Sequence, residues 1–339
     1  MSQTSEKTTV FARGIIVDLI DGGLSILLDD AVGPELTVVV PVYNRAELVS
    51  RTLDSIAAQT LRPLDVILVD NASTDASKAV MHKWMAEHNG INGLSVKLLD
   101  ESAVGACAAR NRGLAEVTTP WVMFFDSDDT MAPGHCARAM EAAHAHPKAE
   151  IIGWDVLYGK DGGPWKRLTF RNRDLGYNNM FNSNFATQRY MCRTELIRAV
   201  GGWDTDIAVW NDIELGARIA LRKPRCHKIK SKDPTVRIFI TEGSLTGGCF
   251  AAKPDKKIDT LKHMATYVPI EWINLKGVIL SAHCDLSGTA SGRLLKEIFV
   301  FQEKSKIRKR MLRFAYHYTV HGHRGIARIL RPFMPSKLK

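Results

Sequence analysis

From Leu36 onward the chain alternates short, uninterrupted apolar runs with segments of helical period. The runs are LTVVV at 36–40, DVILV at 65–69, SVKLL at 95–99 and WVMFF at 121–125. Continuous β-branched and aromatic runs of this length suit strands covered on both faces. After the first run, Leu48, Val49, Leu53, Ile56 and Ala57 recur at helical spacing. After the second, Asn71-Ala-Ser-Thr-Asp75 offers turn and N-cap residues for a helix reaching about Glu87. A small-residue helix is expected over 105–116. This β-α-β-α-β-α-β order predicts an α/β fold, a Rossmann-like, mainly parallel, doubly wound sheet. Ligands of such sheets bind outside the carboxyl ends of the strands. Two polar clusters stand there: Asp70 behind the second run, and Asp126-Ser127-Asp128-Asp129 behind the fourth. Three carboxylates in four residues repel one another, so they call for a cation or a dense set of donors. Asp75 reads more simply as a turn or cap residue.

The rest of the chain is less regular. A helix is expected near 133–146, then a strand or hairpin arm in AEIIGWDVLYG. Residues 159–190, rich in Gly, Asn, Arg and aromatics, read as loops over the sheet. A short helix ends at Gly201-Gly202, another starts near Asn211-Asp212, and the chain beyond about 254 looks mostly helical. Residues 1–34 read as an N-terminal extension, a hairpin or a short amphipathic piece. The implied division is 1–34, a catalytic unit at 35–250, and a helical region at 251–339.

Composition narrows the function classes. Of 339 residues, 45% are apolar and 24% charged, which excludes a wholly disordered chain. No run approaches the ~18 apolar residues of a membrane-spanning helix. The first residues lack the basic-then-apolar pattern of a leader, so a cytoplasmic location is expected. The six cysteines have no CxxC spacing, so neither a zinc ribbon nor a dithiol redox site is signalled, and reduced thiols are expected. The first βα turn, PVYNRAEL, lacks GxGxxG, which disfavours a nicotinamide enzyme. The net charge of +10 is concentrated: 304–339 holds eleven Lys/Arg and no Asp or Glu, and the remainder carries −1. The basic balance therefore belongs to a surface segment.

Several motifs occur in one order: Val40-Pro-Val-Tyr-Asn44, Val69-Asp-Asn-Ala-Ser-Thr-Asp75, Gly105 through Ala109-Arg-Asn111, Phe125-Asp-Ser-Asp-Asp129, Gly201-Gly-Trp-Asp204 and Asn211-Asp-Ile-Glu214. In this order, over about 35–246, the chain resembles the inverting GT-A-fold glycosyltransferases of family 2. The resemblance implies transfer of a sugar from a nucleotide-diphosphate sugar, uridine diphosphate being the family's commonest nucleotide, to a glycan or lipid-linked acceptor. It implies that Pro41 and Tyr43 face the nucleobase, that Asp70 accepts from the base N–H, and that Arg110 lies by the base or diphosphate. Asp126 and Asp128 match the DxD pair that holds ribose and Mg²⁺ or Mn²⁺. Hard oxygen ligands suit those ions better than zinc. Asp129 reads as a cap on the following turn.

Asp212 is the candidate general base, since inversion needs a carboxylate opposite the leaving group. Two departures from the family pattern stand out: Asn211 replaces a Glu, and Thr241 occupies the place of a His near the metal. Trp203, Asn211 and Glu214 are candidates for an acceptor pocket. A core role for Trp203 and a helical ion pair of Glu214 with Arg218, four residues on, are the alternatives. A non-catalytic nucleotide-sugar-binding or assembly subunit of the same fold is the competing function. No nucleic-acid motif accompanies the basic tail, so no nucleic-acid partner is expected. The tail interleaves its cations with apolar residues, predicting two short amphipathic helices that lie on an anionic inner-leaflet surface or dock on the catalytic unit.

Overall fold

The computed structural model describes residues 9–12, 15–20, 23–28, 33–240, 250–336 and 338. Thr241, for which a departure from the family pattern is expected, lies outside them. The N-terminal segment forms an antiparallel three-stranded sheet of β1 (Thr9–Ala12), β2 (Ile15–Ile20) and β3 (Gly23–Leu28). This is a hairpin with one strand more than the sequence pattern implies.

The alternating region then folds as its periods dictate: β4 (Leu36–Val42), α1 (Val49–Ala57), β5 (Leu64–Asp70), α2 (Ser77–His88), β6 (Leu94–Asp100), α3 (Ala106–Glu116) and β7 (Trp121–Phe124). These four strands are mutually parallel in the order β7-β4-β5-β6. The chain builds outward from β4 to β6, then returns to place β7 on the other side of β4. The crevice between the ends of β4 and β7 is thus the topological switch point, where a doubly wound sheet takes its ligand. Register sets what meets there. Val39 pairs with Phe124, so Pro41 and Asp126, each two residues further on, emerge side by side. Val42 pairs with Asp70, which brings the end of β5 to the same rim.

Helix α3 lies close on the sheet because Gly113 faces it. A Cβ there would come 2.4 Å from Val39 Cγ1. This contact seats α3, and with it Arg110, against β4 and β5.

Three more elements follow: β8 (Thr130–Met131), α4 (His135–Ala145) and β9 (Ile151–Gly153). The stretch 149–159, expected as a strand or hairpin arm, is broken at Trp154-Asp155. Its second half, β10 (Val156–Gly159), is the arm of a hairpin with the following strand and joins a separate sheet. Buried Asp155 explains the break: its carboxylate is held by Arg167 at 2.7 Å, Lys228 at 2.7 Å and the Phe170 N–H at 2.8 Å. The stretch read as loops over 159–190 contains β11 (Lys166–Leu168) and α5 (Leu175–Asn182). After it come β12 (Tyr190–Arg193), α6 (Thr194–Ala199), α7 (Asn211–Leu221), β13 (Cys226–Lys228) and β14 (Val236–Phe239). Strands β12, β9 and β13 extend the main sheet to seven, in the order β13-β9-β12-β7-β4-β5-β6, with β12 antiparallel to its neighbours. The second sheet, β11-β10-β14-β8, closes one side of the crevice. No disulfide joins Cys107, Cys136, Cys192 or Cys226.

The helical region comprises α8 (Pro254–Met264), α9 (Ile270–Ser287), α10 (Gly292–Gln302), α11 (Lys306–Val320) and α12 (Ile326–Leu330). Its core is continuous with side chains of α5 and α7: Tyr177, Met180, Trp210 and Ile213 pack with Leu261, Trp272, Leu275 and Leu312. The two basic helices of the tail are α11 and α12. Their apolar faces do not all face outward: Leu312, Ala315, Tyr316, Ile326 and Leu330 are buried, while Phe314, Ile329 and Phe333 remain exposed. No described helix is long and apolar enough to cross a membrane.

Candidate active site

A cavity of about 630 Å³ opens at the switch point. It is large enough for a nucleotide sugar. Its walls come from the ends of β4 and β7, the N-terminus of α3, the segment before β12, the N-terminus of α7, and β14. Pro41, Tyr43, Arg110, Asp126, Asp128, Asn211 and Asp212 all line it. Residues more than 170 positions apart in the chain thus share one chamber.

The floor is built around Asp126. Its Oδ1 accepts from Arg110 Nη2 at 2.8 Å and its Oδ2 from Gln188 Nε2 at 2.6 Å. The same Gln188 nitrogen lies 2.5 Å from Asp129 Oδ2, and the Phe239 N–H donates to Asp129 Oδ1 at 2.8 Å. Asp129 is therefore more than a cap: it is a buried brace between the DxD loop and β14. Burial, then repulsion from Asp128 and Asp126, pushes its carboxyl well above the ordinary range. Gln188 and the Phe239 N–H supply donors to the crowded carboxylates that the sequence foreshadows.

Arg110 is nearly buried. Its guanidinium lies 4.5 Å over the Trp203 ring, and its Nε and Nη1 find no described partner. Trp203 is not among the cavity's lining residues. It is buried behind Arg110 and meets Phe124 edge-on at 5.5 Å. Asn111 fixes it there, donating to the Trp203 carbonyl at 2.7 Å and accepting from its N–H at 2.8 Å. The adjacent Arg110-Asn111 pair thus divides two tasks: one side chain enters the site, the other pins the Gly-Gly-Trp-Asp turn.

Asp70 is buried at the end of β5. Its Oδ2 accepts from the Ser73 N–H at 3.3 Å, and its Oδ1 has no described partner. A buried acceptor left without a donor suits a ligand N–H. Next to it, Asn71 ties this rim to the loop before α3 through Ala103 O and the Gly105 N–H, both at 2.7 Å.

Asp212 lines the cavity from the first turn of α7. Burial raises its carboxyl above the ordinary value; the Ile213 N–H, Arg110 and Lys276 oppose the shift and Asp126 adds to it. Trp210, just before that turn, has a left-handed backbone (φ 56°) and is clamped by the helical region. Lys276 Nζ stands 4.6 Å over its ring and Lys257 Nζ 5.3 Å. Burial lowers the Lys276 ammonium to about 7, against the pull of Asp212. Glu214 does not line the cavity. It is fully buried, gripped by Arg218 through Nε and Nη2 at 2.6 Å each, and accepts from Tyr267 Oη at 2.7 Å.

Arg45, Gln188 and Lys257 were not singled out by the sequence, yet all three line the cavity. Arg45 Nε lies 4.0 Å from Asp128 Oδ2. The donor set offered by Asp128 and Asp126 is all carboxylate oxygen, which fits Mg²⁺ or Mn²⁺.

Comparison with known proteins bears on the fold. The fold is shared with residues 1–349 of S. aureus TarS, solved in complex with UDP-GlcNAc, at a TM-score of 0.60 and 16% identity over 90% of this chain and 95% of that one. It is shared also with the mannosyltransferase PcManGT of Pyrobaculum calidifontis, solved with GDP-Man and Mn²⁺, at a TM-score of 0.53 and 20% identity over 89% and 88%. The chain thus has the GT-A-like fold of glycosyltransferases. Residues 37–201, just under half of the chain, match the family model "Glycosyl transferase family 2". A validoxylamine A glucosyltransferase of Streptomyces hygroscopicus subsp. jinggangensis is 28% identical over 223 residues. That match takes in 55% of this chain, which spans about half (51%) of the relative's length.

Proposed function

We propose that the chain is an inverting glycosyltransferase. It moves a sugar from a nucleotide-diphosphate sugar, a uridine diphosphate sugar first among them, to a hydroxyl of a glycan or lipid-linked acceptor. One observation carries this reading: a single cavity at the sheet's switch point holds the Asp126/Asp128 pair on one wall and Asp212 on another. Two structures of the same fold, solved with UDP-GlcNAc and with GDP-Man, support it.

In this reading Tyr43 and the unpartnered Asp70 oxygen receive the base. Arg110, with two unpartnered N–H groups, meets the diphosphate. Asp128, assisted by Asp126, holds Mg²⁺ or Mn²⁺, which supplies charge neutralisation for the departing diphosphate. Asp212 takes the acceptor hydroxyl's proton as its oxygen bonds to the anomeric carbon. The bond from that carbon to the diphosphate breaks on the opposite face, and the nucleoside diphosphate leaves. The raised Asp212 carboxyl makes it a better base than an exposed aspartate, while Arg110 and Lys276 keep it ionisable. We place the enzyme in the cytoplasm at the inner face of a membrane, with the basic segment 304–339 towards anionic lipid.

Asp212→Asn tests the assignment. It should leave donor affinity unchanged and lower transfer by roughly 10²–10⁴. Normal turnover in that variant removes Asp212 from the base role. Donor binding without transfer or hydrolysis in the unaltered chain favours the non-catalytic binding subunit instead.

A further inference from the structure

Helix α10 is apolar on two opposite faces. One face, Phe299 and Val300, is buried against α9, where Gly277 admits the Phe299 ring so closely that a Cβ would meet it at 2.4 Å. That contact fixes the helix's rotation. The other face carries Leu294, Ile298 and Phe301, at i, i+4 and i+7, and they are 71%, 48% and 83% exposed. Nothing described covers them, and such a stripe is costly to leave in water.

The stripe ends in a block of positive charge. The turn from α10 into α11 and the first turns of α11 carry Lys304, Lys306, Lys309, Arg310 and Arg313. None of the five ion-pairs with a described residue, whereas Arg308, on the inward side, is held by Glu271 and Glu303. Lys309 Nζ stands 5.9 Å over the Phe301 ring, so the cationic edge and the apolar stripe are contiguous. The one carboxylate on the outward side of α10, Glu297, is engaged by Lys296 at 3.1 Å.

We propose that the outward face of α10, with Lys304, Lys306, Lys309 and Arg310, is a docking surface for an anionic lipid bilayer. This deepens the membrane placement of 304–339 and rests on it: that segment supplies charge, and α10, which lies outside it, supplies the apolar insertion. Three side chains make too small a patch for a stable protein–protein interface, which takes some 800 Å² per partner. Three bulky apolar side chains rimmed by Lys and Arg, with no unpaired acid among them, match instead the boundary between headgroups and acyl chains. The cations meet the headgroups while Leu294, Ile298 and Phe301 enter below them.

The test is co-sedimentation of the full chain with phosphatidylcholine vesicles, with and without phosphatidylglycerol, at low and high salt. The unaltered chain should bind the phosphatidylglycerol vesicles and release them in high salt. Leu294→Ser/Ile298→Ser/Phe301→Ser, all on the surface, should keep the thermal midpoint and weaken partitioning by tenfold or more. Lys304→Gln/Lys306→Gln/Lys309→Gln/Arg310→Gln should weaken it further, by about fivefold for each charge removed. If the serine variant binds as well as the unaltered chain, α10 is not the docking surface, while a purely electrostatic role for 304–339 stands. If the unaltered chain binds neither vesicle, the membrane placement itself fails and this proposal with it. If sedimentation equilibrium shows self-association that the serine variant abolishes, with vesicle binding unchanged, the face joins two copies of the chain and the proposal is overturned.

Discussion

Glu214→Gln separates what holds α7 in place from what reacts at its start. The Glu214 carboxylate is fully buried and accepts three hydrogen bonds, two from Arg218 at 2.6 Å and one from Tyr267 at 2.7 Å. Arg218 also donates to Gly202 O at 2.9 Å, so the pair ties α7 to the turn behind Trp203. A Gln side chain keeps one accepting oxygen but turns an NH₂ group towards an Arg218 donor and removes the compensating charge. Breaking a buried ion pair costs about 3–5 kcal/mol. Arg218 is partly exposed and keeps its carbonyl partners. The expected loss is therefore nearer 2–3 kcal/mol, worked from one charge-assisted bond lost and one weakened. For a chain of this size that lowers the thermal midpoint by roughly 3–4 °C. Calorimetry gives the midpoint; nucleotide binding and transfer, measured well below it, should match the unaltered enzyme. An unchanged midpoint, or a stable variant with transfer abolished, refutes the structural role and puts Glu214 in the acceptor pocket.

Other expectations follow from the same geometry. Transfer needs ionised Asp212, whose carboxyl is raised chiefly by burial, so activity should fall as pH drops through a value above the ~3.9 of a free aspartate. Lys276 holds that carboxyl down, so Lys276→Met should move this acid limb to higher pH; an unmoved limb in the pH–rate profile breaks the coupling. Gly113→Ala would place a Cβ 2.4 Å from Val39 Cγ1, costing about 1–3 kcal/mol in urea unfolding and weakening nucleotide binding by shifting Arg110 on the same helix. An unchanged urea midpoint would mean that α3 is not seated as described.

Much of the central sheet was readable in the sequence because its strands are buried on both faces. LTVVV, DVILV and WVMFF had few alternatives, and their order fixed where Asp70 and Asp126 must emerge. What the sequence could not display were partnerships across large separations. Gln188 reaches Asp126 and Asp129 from about 60 residues away, out of a Gly- and Asn-rich stretch that read as loops. The break at Asp155, inside a stretch expected as a strand or hairpin arm, was hidden because its three partners come from β11, β13 and the turn at Phe170. The two readings of Trp203, core or pocket, differ only in its position behind Arg110, a contact between residues more than 90 apart in the chain. Lys257 and Lys276 carry no local signal, since burial of a lysine against Trp210 depends on how α8 and α9 pack.

The central claim is that the Asp126/Asp128 wall holds a divalent ion beneath a nucleotide diphosphate. Calorimetric titration of uridine diphosphate into the unaltered chain and into Asp128→Ala, each with and without Mn²⁺, tests it most directly. The account predicts that Mn²⁺ strengthens binding in the unaltered chain and has no effect in the variant, which keeps its fold and a weak metal-independent affinity through Asp70 and Arg110. Mn²⁺ strengthening binding equally in both proteins would contradict it.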